Sequence, residues 1–232
     1  MSYDRSRDAA WDVLIRHEVK SLPVDIFGIC RNERIALFTY SSGKEVIKSM
    51  GLESHVVDND AFSIGSIIFY DDTKPIKRQR FSLAHELGHI LLHTDHKPTV
   101  HNREPHADDN PIENEANIFA SRVLAPLCVL QLMDVNSPEE ISELCEINIS
   151  SALIRFKRLC TVRRRNKIRK DEKNHGTFFL SPKERQVYEN FKEYIALNKK
   201  ATVRHALKAE DEQKPKSINK IESKAEEKSQ KD

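Results

Sequence analysis

One segment restricts the possible folds of this chain more than any other: residues 81–93, with the sequence FSLAHELGHILLH. Apolar residues recur in it at three- and four-residue spacing, which is typical of a buried helix. Such a helix places His85 and His89 one turn apart, with Glu86 beside them. Burying two imidazoles and a carboxylate is costly unless a partner replaces the lost solvation. A metal ion is a partner that satisfies all three groups.

The spacing of these three residues is the HExxH pattern of metal-dependent peptidases. Histidines four residues apart project from one helix face and can bind one tetrahedral zinc ion, while Glu86 is directed toward the open coordination position. With 10 histidines in 232 residues, the pattern arises by chance in about 4 of 100 such sequences. The apolar setting favours the metal interpretation, so we predict that His85 and His89 bind zinc.

A peptidase zinc site requires a third protein ligand. His93 continues the same helical face, but it lies one further turn away and so could hardly bind one ion together with both other histidines. A carboxylate on the helix predicted for residues 112–124 is the better donor, and Glu113 and Glu115 both precede the apolar positions of that helix. Glu115 lies closest to the apolar stripe, which favours it as the third ligand.

The sequence RFSLAHELGH, followed by ENEANIFASRVLAP, resembles the ImmA/IrrE family of zinc metallo-endopeptidases. The hallmark of that family is HExxH and then E-A-N-x-F-A-x-x-L-x-P. The similarity is strong over residues 81–126, looser over the N-terminal part and small over the C-terminal third. One departure is Ala125, where the family often has Met, and this change affects packing more than chemistry.

The resemblance implies zinc ligands at His85, His89 and Glu115, with Glu86 as the catalytic base that takes a proton from the attacking water. It also implies an α+β fold: a zincin-like metallopeptidase domain with a small sheet and the HExxH helix, followed by a helical C-terminal part. The expected substrate is a helix-turn-helix transcriptional repressor, cleaved in a stress response or in the induction of a prophage or other mobile element. Four side chains are considered for stabilising the oxyanion: Tyr70, His93, His101 and His106.

The N-terminal part combines helix and strand patterns. Residues 4–18 and a short segment after Pro23 have the apolar spacing of helices, whereas residues 35–40 and 67–70 have the β-branched and aromatic content of strands. The strand at 67–70 is also considered as an edge to which extended substrate could add. We expect one zincin-like metallopeptidase domain over residues 1–136.

The C-terminal part begins with SPEE at residues 137–140, which has the form of a capping box and predicts the start of a helix. Ser150 is expected to cap the next helix, and a second capping box begins at Ser181. The final segment has few large apolar residues, too few to offset the entropy of ordering. Three units are therefore expected: a helix-turn-helix-like pair with a basic run at 137–170, a C-terminal helix at 171–198 and a disordered charged tail at 199–232.

The helical pair and its basic run, RFKRLCTVRRRNKIRK, support an alternative function, a DNA-binding transcriptional regulator. The same pattern also arises in an αα-hairpin that packs on the peptidase core or docks the substrate, and its turn lacks glycine. The formal net charge of +2 favours neither alternative, because 38 basic and 36 acidic residues nearly cancel. We favour packing or protein docking over DNA contact.

Composition indicates a cytoplasmic protein. The 4 cysteines lie far apart without a Cys-x-x-Cys pair, so a disulfide framework is not indicated and a reducing compartment is the simplest interpretation. The first residues are charged throughout, and the chain offers too few consecutive apolar residues to span a bilayer. We therefore expect no membrane partner.

Overall fold

The computed structural model describes residues 2–93, 110–173 and 180–213. The part before the first gap contains α1 (Ser2–Arg16), α2 (Ile26–Asn32), β1 (Ala36–Thr39), α3 (Lys44–Ser49), α4 (Glu53–Asp58), β2 (Ala61–Ile64), β3 (Ile67–Tyr70) and α5 (Ile76–Leu92). The remaining part contains α6 (Pro111–Leu124), α7 (Leu127–Leu132), α8 (Pro138–Cys145), α9 (Ile149–Lys173) and α10 (Pro182–Gln213). The predicted α+β class is confirmed, with helices predominating over one small sheet.

The three strands form one sheet in the order β1-β3-β2. β3 pairs in parallel with β1 and antiparallel with β2, so Ile67 is opposite both Ala36 and Ile64. A strand with a neighbour on each side has no free edge, which corrects the expectation that residues 67–70 could add an extended substrate. Among the described strands, β2 lies at one edge of the sheet and β1 at the other.

Side chains alternate between the two faces of this sheet, and both faces are covered. Ile68 belongs to the main core, which also contains residues of α5. On the opposite face, Phe62 and Phe69 pack with Ile47 of α3, and their two ring centroids are 5.1 Å apart. Because residues of β2 also alternate, Ser63 lies on the face that is covered by α5.

One hydrophobic core includes residues on both sides of the boundary predicted at residue 136. Its members come from most helices and include Leu14, Leu87, Phe119, Ile141, Leu159 and Phe191. Polar contacts also join α5 to α8, where Lys77 Nζ donates to the hydroxyl of Ser142 at 2.9 Å. Arg80 Nη2 donates to the carbonyl oxygens of Val24 at 2.9 Å and Cys145 at 3.3 Å. Helix α8 therefore contacts directly the helix that carries HELGH.

Both predicted serine caps form, but only the one at Ser181 is a complete capping box, because the Glu140 carboxylate accepts from the N–H of Asn136 and not from that of Ser137. Ser137 Oγ accepts from the backbone N–H of Glu140 at 3.2 Å. At the start of α10, Ser181 Oγ accepts from the N–H of Glu184 at 3.3 Å, and the Glu184 carboxylate accepts from the N–H of Ser181 at 2.9 Å. Ser150 is not a cap, because α9 begins one residue before it and Ser150 lies in the first turn.

The C-terminal helix is longer than its sequence predicts. α10 runs to Gln213, so residues 199–213, predicted to be disordered, are helical. Their Ala, Lys and Glu content cannot supply a core, but these residues have high helix propensity, which explains the difference. Residues 214–232 of the predicted tail lie outside the described residues. Within the described ranges, no helix is long and apolar enough to cross a membrane.

The cysteines are all free thiols, and three of them, Cys30, Cys128 and Cys145, are buried. Burial raises the pKa of Cys30 and of Cys145 to about 12. These two thiols are therefore protonated at neutral pH. They act as small apolar side chains in the core and not as nucleophiles.

Candidate metal centre

Helix α5 holds His85, Glu86 and His89 in a buried position, with each residue at most 5% exposed. The Nε2 atoms of His85 and His89 lie 3.0 Å apart. Two ring nitrogens at this distance repel each other unless a proton or a metal ion lies between them. The predicted pairing of the two histidines on one helix face is therefore present in the structure.

Helix α6 brings Glu113 to this pair. Its carboxylate oxygens lie 3.1 Å from Nε2 of His85 and 3.3 Å from Nε2 of His89. Ligand atoms of a tetrahedral zinc site with bonds of about 2.0–2.2 Å are separated by roughly 3.3–3.6 Å, so small side-chain shifts would accommodate the ion. In the described part of the chain, the ligand atoms of these three residues form a group within 4.8 Å of one another. Two imidazoles and a carboxylate suit zinc.

Glu115, the carboxylate favoured by the sequence, lies on a different side of α6. Its Oε2 is 3.7 Å from Nε2 of His93, just beyond the end of α5. Two residues along a helix correspond to a rotation of about 200°, so Glu113 and Glu115 point in nearly opposite directions. Both are buried, at 3% and 9% exposure, so proximity to the apolar stripe did not distinguish them. The geometry therefore groups Glu113, and not the expected Glu115, with the two histidines.

Small residues determine which face of α6 meets the histidines. A Cβ atom on Gly88 would lie 3.2 Å from Cα of Ala116 and 3.0 Å from Cδ1 of Phe119. Both distances are shorter than ordinary contacts, so the absence of a side chain lets the two backbones approach closely. Ala116 is three residues after Glu113 and shares its helix face. The Gly88–Ala116 contact therefore directs Glu113 toward α5.

Asn117 orients His85 from the same face of α6. Oδ1 of Asn117 lies 3.0 Å from Nδ1 of His85. Because an amide oxygen only accepts, Nδ1 carries a proton, so Nε2 is the nitrogen that faces Glu113 and His89 and can bind a metal ion. Asn117 was not singled out from the sequence, although its four-residue separation from Glu113 was a usable signal.

We expect Asn117→Ala to weaken zinc binding by about 10–100-fold, because partners of metal-binding histidines fix the tautomer and the ring orientation. The measurement is the zinc Kd, determined by competition with a chromophoric chelator. Asn114→Ala is the matched control, since Asn114 is exposed on the same helix. Unchanged zinc affinity in Asn117→Ala would show that this contact does not support the site.

Glu113 keeps its negative charge despite its burial. Burial by itself raises the pKa of this carboxyl, but hydrogen bonds and charge interactions with His85 and His89 outweigh it. The pKa of Glu113 is consequently well below its usual range. A carboxylate that is ionised at neutral pH can bind a cation without first releasing a proton.

Glu86 contacts the sheet through strand β2. Its Oε2 accepts a hydrogen bond from Ser63 Oγ of β2 at 2.7 Å. The hydroxyl therefore restrains one oxygen of the predicted base. Ser63 was missed because β2 has only 4 residues and includes a polar one, which makes a weak strand pattern.

The side chains considered for the oxyanion have the following positions. The Tyr70 ring packs edge-on against Phe27, with ring centroids 6.0 Å apart. His93 pairs with Glu115, as described above, and its ring centroid lies 5.6 Å from that of His89. His101 and His106 fall in the segment 94–109, outside the described residues. Their role in stabilising an oxyanion stays a prediction.

A comparison with protein families identifies the family of this chain. The Peptidase_M78 family model, described as an IrrE N-terminal-like domain, matches residues 32–153, which is more than half of the chain. The matched range includes the whole sheet and both helices that supply the histidines and Glu113. No curated protein matches the chain. The extent of the family match shows that this chain belongs to the ImmA/IrrE family of metallopeptidases.

Proposed function

We propose that the protein is a cytoplasmic, zinc-dependent metallo-endopeptidase that cleaves a helix-turn-helix transcriptional repressor. The observation that carries the proposal is the group formed by His85, His89 and Glu113, with Glu86 on the same helix as both histidines. Three protein donors leave one coordination position for water or substrate, as in catalytic zinc sites, whereas structural sites are closed by a fourth protein ligand.

The mechanism assigns a separate task to each side chain. Bound zinc supplies a Lewis acid that polarises the peptide carbonyl and makes a water molecule more acidic. Glu86 takes the proton from the attacking water and delivers it to the leaving amine. Ser63 and Asn117 are positioning residues, because they hold Glu86 and His85 through the hydrogen bonds described above.

The edge strand β2 supports binding of an extended substrate segment. Among the described strands, β2 pairs only with β3, so its second edge can accept a peptide backbone. Ser63 on this strand contacts Glu86, so a peptide added to the edge would pass close to the base. A loop or interdomain linker of a repressor has the extended conformation that this mode of binding requires.

The start of α9 supports docking of a folded part of the substrate. Ile149, Leu153 and Ile154 are 51%, 42% and 69% exposed. A recognition helix reads base edges through the residues of its N-terminal part. Large aliphatic side chains at that position suit a protein surface better than phosphates or base edges. This favours protein docking by the helical pair over DNA binding.

Part of the basic run is also turned away from solvent. Arg155 is 4% exposed, and both its Nε and its Nη2 donate to the carbonyl oxygen of Ala125. Arg158 lines a cavity between helices. These two arginines are therefore poorly placed to neutralise DNA phosphates. A DNA-binding regulator stays the alternative, and salt-dependent retention on DNA would support it.

The test is cleavage of a purified helix-turn-helix repressor encoded beside this gene, with products identified by mass spectrometry. We expect zinc-loaded wild type to cleave at one site and Leu153→Glu to cleave with a raised KM and an unchanged kcat. Arg165→Gln, exposed further along α9, changes the charge by the same amount and should behave as wild type. An intact repressor together with salt-sensitive DNA binding would contradict the proposal.

A further inference from the structure

A cavity of about 160 Å³ lies between α1, α6, α7, α9 and α10, and its lining is rich in arginine. Its charged residues are four arginines and a single carboxylate: Arg7, Arg122, Arg155, Arg158 and Glu184. None of the three residues grouped at the metal centre belongs to this lining. Arg7 also forms ion pairs with Asp4 and Asp8, both at 3.0 Å, so the attraction of this cavity for anions comes mainly from the other three arginines.

Two neutral donors in the same wall are buried and lack a hydrogen-bond partner among the described residues. They are Nε1 of Trp11 and Nε2 of Gln131. Their residues are only 2% and 3% exposed. Native proteins rarely leave buried N–H groups unsatisfied, because the lost hydrogen bonds to water are not replaced. Trp11 and Gln131 both line the cavity, so a small side-chain shift would let these two donors bond an acceptor bound there.

Contacts with backbone carbonyls hold the buried arginines at the cavity wall. Arg122 Nη1 donates to the carbonyl oxygen of Ile118 at 3.1 Å, and Arg155 Nε donates to that of Ala125 at 3.0 Å. The carboxylate of Glu184, which carries the negative charge of the lining, accepts from the N–H of Ser181 at the start of α10. The positive charge of the lining is thus built into fixed side chains of several helices.

We propose that this cavity binds a small, multiply charged oxyanion of the phosphate class. Planar guanidinium groups pair with phosphate oxygens through two parallel hydrogen bonds, and the indole and amide N–H groups add donors suited to oxygen. The volume of about 160 Å³ holds an ion of this size with several waters. It is smaller than the roughly 300 Å³ at which pockets for larger organic ligands begin, so a nucleotide would not be enclosed.

The proposal does not rest on the peptidase function. A bound ion would stabilise the packing between helices, because it would join α1, near the N-terminus, to helices of the C-terminal part. α6 contributes Arg122 to this cavity and Glu113 to the metal centre, so the two sites share one helix.

The test is isothermal titration calorimetry of inorganic phosphate into the full-length protein, dialysed against chloride buffer and kept at constant ionic strength. We expect saturable binding of one ion, with a Kd raised at least tenfold in Arg158→Gln. Trp11→Phe keeps the aromatic packing but removes the N–H donor, so its Kd should rise severalfold without loss of folding by circular dichroism. Arg164→Gln is the matched control, because Arg164 is exposed on the same helix.

Three results would overturn the proposal. Absence of saturable phosphate binding would show that the cavity is not an anion site. An equal loss of phosphate affinity in Arg158→Gln and Arg164→Gln would show only general attraction of phosphate to a basic surface. Tighter binding of malonate than of phosphate would assign the cavity to carboxylates. Zinc content and repressor cleavage are measured separately, so failure here is distinguishable from failure of the peptidase proposal.

Discussion

Replacing Glu86 with glutamine is expected to lower the rate of peptide cleavage by about 10²–10⁴-fold, the usual contribution of a general base. Glutamine has nearly the same size and can still accept the hydrogen bond from Ser63, but it cannot take a proton from water. Zinc content should stay near one ion per chain, because Glu86 is not among the three grouped donors. The measurement combines initial cleavage rates on the repressor with metal analysis of the same preparation.

The control for this variant is Glu53→Gln, which makes the same change at an exposed position of α4. It should cleave at the rate of wild type. Cleavage by Glu86→Gln at the wild-type rate would exclude this carboxylate as the base. Loss of zinc from Glu86→Gln would instead show that the carboxylate helps to bind the metal.

The second prediction concerns zinc affinity and compares the two buried glutamates of α6. We expect Glu113→Ala to weaken zinc binding by at least about 100-fold, more than the loss of an orienting partner, because it removes a donor that faces both histidines. Glu115→Ala removes the contact with His93 at 3.7 Å and should change zinc affinity less than tenfold. Chelator competition on the two purified variants measures both values.

The two variants are matched, since each removes one buried carboxylate from the same helix. Circular dichroism spectra must show that both are folded. A greater loss of zinc affinity in Glu115→Ala than in Glu113→Ala would restore the ligand set that the sequence favoured and contradict the geometry of the structure.

Local patterns predicted much of the fold. The apolar spacing around HELGH identified the central helix, and the serine caps at Ser137 and Ser181 were correctly located at helix starts. The strand at residues 67–70 has the bounds that its β-branched and aromatic content predicts. These features depend on neighbouring residues alone, so the sequence contains the information needed to find them.

Features that depend on tertiary contacts were harder to predict from the sequence. The choice between Glu113 and Glu115 requires knowledge of which face of α6 meets α5, and the contact of Gly88 with Ala116 decides it. Strand β2 is stabilised by pairing with β3 and by packing on both sheet faces, not by a strong pattern of its own. Ser63 could be assigned a role only after that strand was known.

The family resemblance predicted the reaction better than it predicted the arrangement of its parts. The two predicted histidines lie side by side, and the glutamate grouped with them is Glu113, which is on the same helix as the predicted Glu115 but on another face. The substrate depends on other surfaces, namely the edge of β2 and the exposed residues Ile149, Leu153 and Ile154. No short motif encodes either surface, so they emerged only from the fold.

The most direct test of the metal centre is X-ray diffraction from crystals of the zinc-loaded protein, with anomalous data at the zinc absorption edge. We predict one zinc peak, bound by Nε2 of His85, Nε2 of His89 and the carboxylate of Glu113 at about 2.0–2.2 Å. Glu86 should lie beside the peak without binding it. A peak bound by Glu115, or no peak at the two histidines, would contradict this account.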